Sequence, residues 1–131
     1  MFDVETVKLR LKSFGYEVKA DDEFALTFCV EKVRNTIKAE TNQKDVPEGL
    51  GQIAVDMACG EFLFSKKTFA PDDLTNLNLE VAVKEISLGD TKTAFAIGEG
   101  SQTSEQRLNA FIDYLMNYGR AEFSAYRRLV W

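Results

Sequence analysis

Glu61 is the side chain in this sequence whose surroundings ask most of it. It falls at the angular middle of a helical face formed by Leu50, Ala54, Met57 and Phe64, and a carboxylate carried among apolar residues must find hydrogen-bond donors or a cation. Arg34 and Arg107 are the candidate partners. Such a buried polar contact has two roles open to it: a structural ion pair within the chain, or a contact with a neighbouring subunit.

Other groupings carry less chemistry. Gly98-Glu99-Gly100 has the look of a phosphate-cradling loop, but nucleotide fingerprints need a preceding strand, further spaced glycines and a Lys or acidic partner, so a hinge is the expectation. Asp21 with Asp22, and Asp72 with Asp73, offer paired carboxylates for a cation. Each pair stands where a helix N-terminus or a loop uses acid anyway, and no metal or cofactor is expected. Ser87, Ser101 and Ser104 have no histidine to activate them, because the chain contains none, and the commonest general base is missing with it. An enzyme is therefore not expected. Cys29 and Cys59 lie among apolar residues in helical patterns, where thiols behave as small hydrophobes. Neither a disulfide nor a soft-metal site is expected of them.

The elements that would position these residues are mostly helical. Residues 47–67, reading PEGLGQIAVDMACGEFLFSKK, are helical in pattern and apolar on nearly every side, with Leu50, Ile53, Ala54, Met57 and Phe64 on one face and Val55, Cys59, Phe62 and Leu63 on the other. Such a helix belongs at the centre of a core or between core and partner. Pro47 suits its first position, and Gln52, Asp56 and Glu61 exclude a membrane span. Ahead of it, Asp3 is placed to cap a first helix carrying Val4, Val7, Leu11 and Phe14, with Gly15 ending it in a left-handed turn. A second helix is predicted from Asp21 or Asp22 to about Thr41, with Ala25, Cys29, Val33 and Ile37 on one face, Phe24, Leu26 and Phe28 beside it, and Lys32, Arg34 and Lys38 on a polar side. Residues 42–48 read as a loop. Pro71 stops the central helix.

From Val81 the period changes: VAVKEISLGDTKTAFAI, residues 81–97, alternates on both sides of Gly89-Asp90, which predicts an inserted β-hairpin. Thr103 and Gln106 form a capping box for a further helix with Leu108, Phe111, Ile112, Leu115 and Tyr118 inside and Gly119 closing it. Residues 120–131 then make a helical turn or two around Phe123 and Tyr126 and a tail that must dock on its own core or on a partner. The expected fold is mainly α, a single domain over residues 1–131 of about four main helices with the hairpin between the third and fourth.

The net charge of −5 is carried by residues 72–105, where seven acids face only Lys84 and Lys92. A phosphate-gripping protein needs a basic stripe instead, and Arg127 with Arg128 do not make one. A helical DNA-binding regulator, supported only by the spacing around residues 41–50, fits poorly. No signal or targeting segment is legible, and synthesis in the cytosol is expected.

The order of these segments, with PEGL…AVDMACGEFL, then VKEISLGDTKTAFAIGEGS, then TSEQRLNAFIDYLMNYG and an arginine-aromatic tail ending in Trp131, resembles the head-tail connector (adaptor or head-completion) proteins of long-tailed bacteriophages and prophages of Gram-positive bacteria. The similarity runs from about Asp22 onwards; its specificity lies in order and spacing, and residues 1–20 match least. The resemblance implies a virion protein at the head-tail interface, assembled in the bacterial cytoplasm. It would form a ring, in related phages a dodecamer, under the portal protein, extending the DNA channel towards the next stopper or tail protein. Genomic DNA would pass without sequence-specific binding, and no membrane is involved. Arg127, Arg128 and Trp131 become candidates for portal docking. Gly89, Asp90 and Glu99 become candidates for the lumen or a subunit contact, where acid would repel passing phosphates. A tail-completion protein of the same particle is the nearest alternative.

Overall fold

The computed structural model describes residues 2–74 and 104–127. The predicted hairpin at 81–97 with Gly89 and Asp90, the joint with Glu99, Thr103 and residues 128–131 lie outside them.

Helix α1 spans Val4–Ser13. Asp3 caps it as its type predicts: the Thr6 N–H donates to Asp3 Oδ1 at 2.8 Å, and the Asp3 N–H donates to Thr6 Oγ1 at 2.9 Å, completing a reciprocal box. Gly15 leaves the helix at φ 93°, a conformation that costs a side chain roughly 1–2 kcal/mol. Helix α2 spans Glu23–Thr41 and ends on Asn42, a non-glycine residue in the left-handed region at φ 54° and ψ 42°. Its buried stripe is Leu26, Cys29, Val30, Val33 and Ile37. Phe24 and Phe28 instead point to solvent, 84% and 62% exposed.

Pro47 is extended (φ −56°, ψ 139°) and precedes a 3-10 turn over Glu48–Leu50, so α3 begins later than its sequence suggests and spans Gly51–Phe69. It is the pillar of the fold and packs against α1, α2 and the helix α4, Ser104–Asn117. From residue 54 to residue 63 only Val55 and Glu61 escape full burial. Phe64, placed on the inner face by its spacing, is half exposed. Gly60 lets α4 come close: a Cβ there would fall 2.7 Å from Met116 Cγ and 3.2 Å from the Met116 backbone nitrogen.

Helix α1 lies across α3. Lys8 pairs with Glu23 of α2 on one side, and the Phe14 ring meets Phe111 of α4 edge-on at 5.0 Å on the other. After α4, Gly119 has an ordinary φ of −95°, so its smallness answers to Ile53, which a Cβ would strike, and not to a left-handed turn. A short helix α5, Phe123–Tyr126, then folds back: Phe123 is buried, and Gln43 donates to the Tyr126 carbonyl. Every regular element among the described residues is helical, and no helix among them is long and apolar enough to cross a membrane.

Candidate functional site

The crossing of α1 over α3 leaves a groove of about 570 Å³. Thr6, Leu9 and Ser13 form one wall; Glu48, Gln52 and Val55 form the other. Its floor is an ion pair, with Arg10 Nε donating to Asp56 Oδ1 at 2.8 Å. Asp56 is 2% exposed. Its second oxygen accepts the Tyr118 hydroxyl at 2.6 Å, and Tyr118 stacks on Tyr114 with ring centroids 4.7 Å apart. Burial, and then the Asp56 carboxylate, push the Tyr118 hydroxyl well above the ordinary phenol value. Arg10 also lies 4.8 Å from the Phe14 ring centroid. Both oxygens of Asp56 are held by donors, so the cluster pins α1, α3 and the end of α4 together.

A second buried carboxylate closes the opposite end of the bundle. Asp22, 1% exposed, pairs with Lys66 Nζ at 2.5 Å and accepts the Tyr16 hydroxyl at 2.7 Å and the Lys19 N–H at 3.0 Å. Burial raises its affinity for a proton, but these three donors outweigh it and hold the carboxyl below its ordinary value. The paired acids 21 and 22 are thus divided: Asp21 is exposed, while Asp22 is spent on protein donors. No grouping of three possible metal ligands occurs among the described residues.

Glu61 sits at the rim. It takes Lys32 of α2 at 3.1 Å, its side chain 18% exposed and that of Lys32 54%. Of the two arginines proposed from sequence, Arg34 turns away to Glu31 and the Phe2 carbonyl, and Arg107 stands half-buried on α4. Arg127 is exposed at the end of α5. The two cysteines are buried and unbridged; burial pushes the Cys29 thiol up to about 11 and the Cys59 thiol well above its ordinary value.

Four exposed phenylalanines lie towards one end of the α2–α3 pair. The pairs Lys32–Glu61 and Lys66–Asp22 show that α2 and α3 run antiparallel. One turn beyond the Lys32–Glu61 bridge, both helices therefore carry an exposed aromatic, Phe28 and Phe64; Phe24 and Phe69, each 84% exposed, lie further towards the same end. These features define a small helical protein with two locked polar nodes and an aromatic end. Comparison with protein-family models, with curated proteins and with solved structures gives no match.

Proposed function

We propose that the chain is a structural head-tail connector, an adaptor that forms a ring under the portal of a long-tailed phage or prophage, extends the DNA channel and joins the head to the next connector or tail protein. The observation that carries the reading, beside the order of its sequence segments, is the exposed aromatic end of Phe24, Phe28, Phe64 and Phe69. Several large aromatics exposed towards one end of a small bundle offer apolar surface to another protein. A closed ring also needs two different, complementary patches on each subunit, and the groove and the aromatic end lie on different parts of the bundle. Arg127, Arg128 and Trp131 are assigned to the portal contact, and Asp90 and Glu99 to the acidic lining of the channel.

Electron microscopy of the purified protein, alone and mixed with the portal protein of the same particle, tests the reading. Rings seated on the portal are expected. A protein that leaves the portal bare, with or without DNA present, would remove it.

A further inference from the structure

Opposite its buried stripe, helix α2 carries a second stripe that is exposed from end to end. Phe24, Phe28, Glu31, Asn35 and Ala39, spaced four, three, four and four residues apart, share this face. Their sizes are graded along it. Phe24 and Phe28 stand at the amino-terminal end, 84% and 62% exposed. Asn35 and Ala39 stand at the other, where a depression of about 460 Å³ opens beside Phe28 and is walled by Lys32, Asn35, Thr36 and Ala39. Large side chains and a hollow thus lie on one surface, at equal distances from the point between Glu31 and Lys32: Phe24 matches Ala39, and Phe28 matches Asn35.

A two-fold axis through that point makes the stripe complementary to itself, the condition for contact between two identical surfaces. Two α2 helices laid antiparallel set Phe24 of each copy on Ala39 of the other and Phe28 on Asn35, and the small residues let the helix axes approach to about 8–10 Å. Charge agrees with this register. Glu23, beside Phe24, keeps 49% of its side chain exposed next to Lys8 and meets Lys38, beside Ala39, at both ends of the contact. At the centre Glu31 is already paired with Arg34 and Lys32 with Glu61, so neither copy brings an uncompensated charge to the axis. We propose that the free chain pairs with a second copy of itself through this face of α2, antiparallel, about a two-fold axis between Glu31 and Lys32. The pair goes beyond the ring reading: it covers Phe24 and Phe28 before a portal is met, and ring assembly has to part the two copies.

Sedimentation equilibrium from micromolar to millimolar concentration reads the pair. The wild type should pass reversibly from monomer to dimer. Phe24→Lys and Ala39→Glu, each alone, should raise the dissociation constant by about tenfold or more, because one removes a large aromatic anchor and the other sets a carboxylate beneath it. The two substitutions combined should restore association, since in the antiparallel register each introduced lysine lies on the introduced glutamate of the other copy. Within one helix the two positions are about 22 Å apart and cannot pair. Compared at concentrations too low for pairing, all of these variants should unfold like the wild type, which separates loss of pairing from loss of fold. A chain that stays monomeric at millimolar concentration overturns the proposal, whether its α2 face is bare or covered within the chain. So does a dimer that both single variants leave intact, a combined variant that stays apart, or a wild type that closes directly into rings, which would give the face to a head-to-tail contact. The portal experiment is independent of this one: a dimer that never binds a portal keeps the pair and removes the connector reading.

Discussion

Two acids on one helix have opposite surroundings. Asp56 is sealed beneath Arg10 and Tyr118, while Glu61 shares a wetter rim with Lys32. Removing one partner of a buried pair strands the other, so Asp56→Ala should cost about 3 kcal/mol in urea unfolding, whereas Glu61→Gln should stay within about 1 kcal/mol because its partner is largely solvated. Equal costs would show that the two sites are not so divided. Asp22 supplies a pH dependence. Its folded-state carboxyl lies below its ordinary value, so its contribution is complete above the unfolded value of about 4 and is lost as pH falls through the lower folded value. Asp22→Asn should therefore flatten the acid limb of a stability profile; an unchanged limb would assign acid unfolding to other groups. Glu61 was legible as a polar residue in an apolar helix, whereas Asp56, read only as a break in the apolar run, is the one that the structure buries. The partners were not legible. Lys32, Arg10 and Tyr118 are chosen by how the helices cross, which spacing along one helix does not encode.

Local chemistry sets the ends of the elements more than their faces. Asp3, Gly15 and the 23–41 span of α2 could be read directly, because caps and left-handed exits depend on residues a few positions apart. The start of α3 was displaced from Pro47 to Gly51 by an intervening 3-10 turn, within which Gly49 leaves room for the Tyr126 ring, a long-range contact that local spacing does not encode. Two glycines of this helix carry opposite expectations. Gly60 admits Met116, so Gly60→Leu should destabilise by roughly 2–3 kcal/mol through overpacking. Gly51 faces open space in helical backbone, so Gly51→Ala should stabilise by roughly 0.5–1 kcal/mol. Denaturant midpoints measure both; a neutral Gly60→Leu would mean that α3 and α4 do not pack at that point.

At the scale of the molecule, the helical architecture was legible because four periodic segments declare it; Phe24 and Phe28, read beside the buried face of α2, are exposed, and only Phe64, read on an inner face, was placed wrongly. The core side of α2 is filled by Leu26, Val30 and Val33. In the portal experiment proposed above, a Phe24→Ser, Phe28→Ser double variant should therefore unfold like the wild type and yet fail to form rings. Chain order adds a last consequence of the close approach at Gly60. Helices α1, α2 and α3 all precede α4 in synthesis, so the strip of α3 around Gly60, and the ring of Phe14 that Phe111 later covers, emerge bare from the ribosome. They wait several seconds at about 5–20 residues per second before α4 arrives to shield them. In that interval the nascent protein exposes apolar surface that α4 covers in the folded chain.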